Sequence, residues 1–365
     1  MPTAWFPERV ATIGAEYPSA PIITAADATP IIPGLDLWDM WPVQALDGSV
    51  AAIAGGALWI SLSAPVLPDP VERHGIARLR LLHAVGPEWR DLGNLLPDGL
   101  SPGSREWSGS TILDADGGLR LYFTAAGRRG EPSLTFEQRL FETRAALTVA
   151  NGAPRLSGWT PPRQIVASDG VIYDPANQAE GAVGAIKAFR DPGFFRDPAD
   201  GRCHLLFAGS LAASASRYNG AIGIVRATDE TLDRWELLPP IVTADGLNNE
   251  LERPHVLYRE GRYFLFWSTQ GSVFDPAGPA GPTGLYGMVA DSLFGPYAPI
   301  NGSGLVLGNP REEPMQAYSW LVLPDLTAIS FVDAWGLGGR APADAADARA
   351  HFGGTIAPPV RIALP

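Results

Sequence analysis

Three acidic residues of this 365-residue chain stand in surroundings that suit chemistry better than solvation: Asp39 in LWDMWP, Asp191 in FRDP and Glu252 in ELERPH. Asp39 is bracketed by Trp38 and Trp41, Asp191 follows Arg190, and Glu252 lies two residues after Glu250 and directly before Arg253. Carboxylates set among guanidinium groups, other carboxylates and indoles are held in different protonation states. Glycosyl transfer asks for that division of labour. One acid attacks the anomeric carbon, a second protonates the leaving oxygen, and about 5–5.5 Å between them permits a covalent intermediate with retention. A third holds sugar hydroxyls. The plainer alternative makes Trp38 and Trp41 sheet aromatics and Asp39 a turn or capping residue, so the choice depends on whether the chain gathers these acids in one place.

The elements that must do so are strands. Gly 41 and Pro 35 punctuate short β-rich runs, a pattern of an all-β fold. Expected strands are 50–63, 76–85, 119–126, 203–210, 221–228, 263–269, 285–291 and 326–335, with helical periodicity at FEQRLFETRAA (136–146) and DAADARA (344–350). Asp47-Gly48, Asp116-Gly117, Asp200-Gly201 and Glu260-Gly261 each open a hydrophobic strand, a hairpin signal that works because Gly accepts positive φ. Nine or ten residues before each glycine stand Asp39, Ser108, Asp191 and Glu252, and Tyr318 in QAYSW holds the corresponding place before the turn Pro324-Asp325. The spacings run from about 60 to a little over 80 residues. Five such units, each a four-stranded blade whose first strand starts near a common axis, make a five-bladed β-propeller with one funnel. A β-sandwich, the alternative for this composition, would not gather five strand starts. FRDP occurs twice, but only Asp191 has the strand-start offset; Asp197, four residues before Gly201, is a turn residue.

Composition narrows the ligand. A formal net charge of −12 argues against nucleic acid and against an anionic membrane surface, which are held by clustered Lys and Arg. The single cysteine, Cys203, and five scattered histidines give no zinc spacing, and Cys203-His204 falls inside a strand. No run of 18 apolar residues and no recognisable signal peptide occurs. Trp38 and Trp107 offer flat apolar walls for sugar C–H faces. Burial beside Glu250 is expected to raise the pKa of Glu252, while Arg190 keeps Asp191 ionised.

In this order and at these distances, WDMWP, REWSGS, FRDP, ELERPH and AYS resemble the signature segments of glycoside hydrolase family 68, from about residue 34 to the C-terminus. The resemblance implies a single five-bladed propeller over 34–365, with residues 1–33 an N-terminal extension packed on it. It also implies a retaining fructosyl transfer from sucrose to sugar acceptors or water. Asp39 matches the nucleophile, Glu252 the general acid/base and Asp191 the transition-state stabiliser. Trp38, Trp107, Ser108, Arg190, Glu250, Arg253, Gln270 and Tyr318 fall on pocket positions. No cofactor is implied, the partners are sucrose and its acceptors, the oligomeric state is a monomer or dimer, and activity outside the cytoplasm is expected.

Two departures stand out. Many relatives carry a structural calcium held by acids just before the RDP and ERP segments; here Ala185 and Asn249 occupy those places, so no metal site is expected. Gln270 stands where relatives place arginine or histidine, which leaves transfer and hydrolysis both open. Other glycans as substrate, and a propeller that only binds glycans, are the remaining alternatives.

Overall fold

The computed structural model describes residues 1–178, 181–182 and 184–365. The five marked segments form five innermost strands: Leu35–Gln44, Arg105–Leu113, Phe189–Arg196, Glu252–Arg259 and Ala317–Val322, hereafter the inner strands of blades 1 to 5. Each pairs antiparallel with the strand that follows its turn: Ala57–Pro65, Leu119–Ala126, Cys203–Ser210, Arg262–Thr269 and Thr327–Ala334. Third strands at Arg78–Val85, Gln138–Ala150, Gly220–Ala227, Gly284–Ala290 and Phe352–Ile356 extend the blades outwards. The protein is a five-bladed β-propeller. Second strands are covered on both faces, so they read as unbroken apolar runs such as LRLYFTAA, buried at every residue.

The turns show why the repeat was visible. Asp47, Asp116 and Asp200 each accept, through Oδ1, the backbone N–H two residues on, at 3.0, 3.1 and 2.9 Å. The intervening Gly48, Gly117 and Gly201 take positive φ. In blade 5, Asp325 makes the same bond to Thr327 at 3.0 Å, but Leu326 occupies the glycine position at φ 69. The fifth turn keeps its geometry without the residue that relieves it.

Two expectations are corrected. Residues 136–146 are not helical: from Gln138 on they belong to the third strand of blade 2, Gln138–Ala150. The charges that mimic a helical face are used in the sheet, where buried Glu142 accepts from Arg120 and Arg144, both at 3.0 Å. The apolar run at 50–63 is split, its strand beginning only at Ala57 after a turn with Ala54 and Gly55 at positive φ. The second expected helix forms at Ala345–His351, capped by Asp344 accepting from Asp347 N–H at 2.9 Å.

Side chains stitch the inner strands around the axis. Trp41 donates its indole N–H to Thr111 at 3.0 Å, joining blades 1 and 2. Ser110 donates to Pro192 O at 2.8 Å and accepts from Phe194 N–H at 2.9 Å, joining blades 2 and 3. Blades 5 and 1 close through Arg349 and buried Asp36 at 2.6 Å. The N-terminal residues cross blades 3 to 5: Thr3–Ala4 pairs parallel with the outer strand Trp235–Thr243, and buried Trp5 lies edge-on to Trp267 at 5.2 Å between ring centroids and donates to Ser303 O.

Candidate active site

The site is built on a defect repeated five times. In every blade the ladder between the inner and second strands slips by one residue near the funnel: between Trp38 and Trp41, Trp107 and Gly109, Arg190 and Gly193, Glu252 and His255, and Tyr318 and Leu321. A β-bulge breaks the alternation of side chains and re-aims those beside it. Asp39, Asp191, Arg253 and Ser319 occupy the bulges in left-handed backbone, at φ 49, 63, 50 and 62. Such conformations cost free energy in non-glycine residues and persist where the surroundings enforce them. In blade 2 the bulged residue is Ser108, and Gly109 follows because a Cβ there would lie 1.9 Å from Tyr122 O.

This register corrects the repeat frame. Asp39, Ser108 and Asp191 are equivalent, but Glu252 and Tyr318 stand one place earlier, level with Trp38, Trp107 and Arg190. The turn glycines tolerate an offset of nine or ten residues, whereas the bulge does not.

The bulges bring the acids together. Ser108 Oγ donates to Asp39 Oδ2 at 2.6 Å. Arg190, buried, directs one guanidinium nitrogen at both Glu250 (2.9 Å) and Glu252 (2.5 Å), while its Nε stays 3.8 Å from Asp191. Tyr318 donates its hydroxyl to the other oxygen of Glu252. Arg253 points away from the acids of its own segment. Its guanidinium donates to Ser319 O and Oγ, both at 2.8 Å, and to Met40 O at 2.7 Å, tying blades 4, 5 and 1, while its backbone N–H approaches Asp191 Oδ2 at 3.3 Å.

The polarity of the cluster differs from that expected. Asp191 and Glu250, buried among other carboxylates, are held above the range of solvated acids, whereas Glu252 is not. Burial raises Asp191 to about 7, with Glu252 and Asp39 adding to the rise and Arg190 and Arg253 opposing it. Burial likewise raises Glu250 to about 7 against the pull of Arg190. Burial also opposes ionisation of Glu252, but Arg190 and the Tyr318 hydroxyl outweigh it and hold this carboxyl below its ordinary range. Arg190 thus ionises the acid of blade 4 in preference to its sequence neighbour.

The walls are unequal. Trp38 is 2% exposed, with His74 edge-on at 5.9 Å, whereas Trp107 is half-buried and tilted against Phe136 at 6.3 Å. Gln270 sits just past the second strand of blade 4, at the funnel rim, where its Oε1 accepts from Ser272 Oγ at 3.5 Å. Asp197 is a buried turn residue that accepts from Ala199 N–H at 2.9 Å and from Tyr263 OH at 2.6 Å. Cys203 and His204 lie in a strand. Among the described residues no group of three or more His, Cys, Asp or Glu is placed to hold a metal.

Three contributors escaped the motifs. Thr124, in the second strand of blade 2, accepts from Asp191 N–H at 2.9 Å and donates to Ser108 O at 3.0 Å, so one hydroxyl sets two bulges. Arg73 lies over Trp38, 5.3 Å from the ring centre. Asp333, near the end of the second strand of blade 5, is raised to about 6 by burial, with Arg73 opposing and Asp39 adding to the rise. Thr124 and Asp333 lie on second strands and Arg73 in a connecting turn, where spacing from the turn glycines carries no signal.

A propeller whose axis gathers ionisable acids of divided polarity belongs to the glycosidase-type enzymes. A family model described as Levansucrase/Invertase matches residues 7–219 and 212–365, and the chain belongs to that family, glycoside hydrolase family 68. It is 32% identical over 406 residues to the levansucrase of Rahnella aquatilis, covering 100% of this chain and 92% of the relative. The structure of an inulosucrase from Halalkalicoccus jeotgali bound to kestose superposes with a TM-score of 0.90 at 38% identity, over 100% of this chain and 94% of that one. The levansucrase of Gluconacetobacter diazotrophicus shares the fold, with a TM-score of 0.85 at 24% identity over 100% of this chain and 88% of that chain.

Proposed function

We propose that the protein transfers the fructosyl unit of sucrose, through a covalent fructosyl-enzyme, to sugar acceptors or water. Asp39 is the nucleophile. Ser108 orients one carboxylate oxygen, and the bulge presents the carboxylate to the funnel. Attack of Asp39 on C2 breaks the bond from C2 to the bridging oxygen, which takes a proton from Glu252 and leaves as glucose. Glu252 then removes a proton from the acceptor hydroxyl as that oxygen attacks C2 and frees Asp39. Asp191 holds fructosyl hydroxyls as positive charge develops at C2.

The observation that carries this reading is Glu252 held at both oxygens, by Arg190 and Tyr318. An acid so fixed is aimed, and Glu250, which burial holds above the ordinary carboxylate range, stands beside it on the same arginine nitrogen. Water and a sugar hydroxyl compete for one intermediate, and uncharged Gln270 at the rim leaves acceptor capture to neutral hydrogen bonds. The test is incubation with sucrose, following free glucose and free fructose separately. Glucose in excess of fructose identifies transfer, and equal amounts identify hydrolysis on the same machinery. No glucose at all refutes the reading.

A further inference from the structure

Lys187 lies four residues before Asp191, in the segment leading into the inner strand of blade 3, and its ammonium is enclosed by oxygens. Nζ donates to Arg217 O at 2.5 Å, Asn219 Oδ1 at 2.7 Å and Asn249 Oδ1 at 2.7 Å. Three donors meet three acceptors, the full capacity of an ammonium. The acceptors come from the connection between the second and third strands of blade 3 and from the residue preceding Glu250. Asn219 and Asn249 are buried and committed through their amide N–H groups as well, to Leu211 O at 2.7 Å and Ile186 O at 2.8 Å.

The network ends on the catalytic pair. Asn249 adjoins Glu250, whose Oε1 accepts from Gly184 N–H at 3.1 Å and whose Oε2 meets Arg190. The Lys187 carbonyl accepts from Gln138 Nε2 at 2.7 Å, and Gln138 Oε1 accepts from Phe189 N–H at 3.0 Å. Lysine is costly to half-bury unless its charge is used. Burial lowers its pKa, and among the described residues Asp174, Arg217 and Glu250 are the charged groups acting on it, the two acids opposing that shift and Arg217 adding to it.

We propose that Lys187 is a positioning residue for the acid/base: a tethered cation that holds Asn249, and through it Glu250, so that Glu250 and Glu252 meet on one guanidinium nitrogen of Arg190. The proposal rests on the assignment of Glu252 as acid/base. It predicts that losing the cation disturbs proton donation more than sucrose binding.

The experiment compares Lys187→Met, Lys187→Arg, Asn219→Ala and Glu252→Gln, alone and with Lys187→Met, by kcat and KM for sucrose across pH and by Tm. Lys187→Met is expected to lower kcat by about tenfold or more with little change in KM. It should also move the deprotonation limb of kcat to higher pH, because removal of a positive charge favours protonated carboxyls. Lys187→Arg should recover part of both, and Lys187→Met should add nothing in the Glu252→Gln background, as expected of residues acting through one another. A fall in Tm with kcat and its pH profile unchanged overturns the proposal, as does a full, multiplicative loss in the double variant. If Lys187→Met does not fold, Asn219→Ala must shift the same limb in the same direction; an unmoved limb overturns the proposal. Glu252→Gln retaining the wild-type rate would remove the acid/base reading itself, whatever the lysine variants do.

Discussion

Blades 3 and 4 carry the same bulge and the same following proline, yet present opposite charges. Blade 3 reads Arg190-Asp191-Pro192, with the cation before the bulge and the acid on it; blade 4 reads Glu252-Arg253-Pro254, with the order reversed. Residues at matching positions therefore meet: Arg190 reaches Glu252, both before their bulges, and the Arg253 N–H reaches Asp191, both on theirs. Inverting one dipeptide between adjacent blades turns a symmetric scaffold into an asymmetric site. The acid of blade 4 gains a guanidinium and a tyrosine, while that of blade 3 is left to burial. Asp39 of blade 1 shares the bulge position of Asp191 but has Ser108 as its partner. The fold supplies five equivalent mounts, and the side chain one residue either way decides what each mount does.

The comparison breaks most completely at Asp39. Asp39→Asn should lower kcat by roughly 10⁴–10⁶-fold, the scale on which a nucleophile is lost, with Tm little changed, as checked by glucose release from sucrose. Glu252→Gln should cost about 10²–10⁴-fold. If it equalled the loss of Asp39→Asn, the two blades would not differ in role.

Arg253→Met tests whether the bulge arginine of blade 4 holds the propeller together. It removes the bonds to Ser319 and Met40 and leaves the carboxylate cluster with one guanidinium. A loss of about 3–5 kcal/mol by urea unfolding is expected, against little destabilisation if Arg253 served substrate alone.

Asp191 sharpens the comparison through pH. Its folded value, raised to about 7, lies above that of an unfolded aspartate, so between these values the folded chain binds more protons and stability falls as pH rises. Measured by urea unfolding between about pH 4.5 and about pH 7, the stability of Asp191→Asn relative to wild type should rise with pH across this window. A flat difference would mean that Asp191 is ionised as a blade 4 acid is. The smallest effect belongs to the turn of blade 5, where Leu326→Gly relieves the positive φ that the other turns give to glycine but removes a side chain packed against the core, so thermal unfolding should shift by less than about 1 kcal/mol.

Much of this was legible because turns and inner strands repeat. Asp-Gly, or Glu-Gly in blade 4, followed by an apolar run located four blades, and a step of nine or ten residues back located Asp39, Ser108 and Asp191. The one-residue displacement of Glu252 was not legible, since a hairpin loop absorbs one residue while a bulge sets the register. Nor was the division of charge: Arg190 adjoins Asp191 in sequence but lies nearer to Glu252 in space. The strand at 138–150 reads as helix in the sequence because the charges that pair across the sheet resemble a helical face. Thr124, Arg73 and Asp333 act from second strands and turns, whose burial hides their purpose behind ordinary polar residues.

The bulge carboxylate of blade 1, and not those of blades 3 or 4, is expected to form the covalent bond. Rapid acid quench of the protein turning over sucrose, followed by peptide mass analysis, tests it most directly. The mass of one fructosyl unit is expected on the peptide containing Asp39, and is expected to be absent from Asp39→Asn. The same mass on the peptides containing Asp191 or Glu252, or glucose release at the full rate by Asp39→Asn, would contradict it.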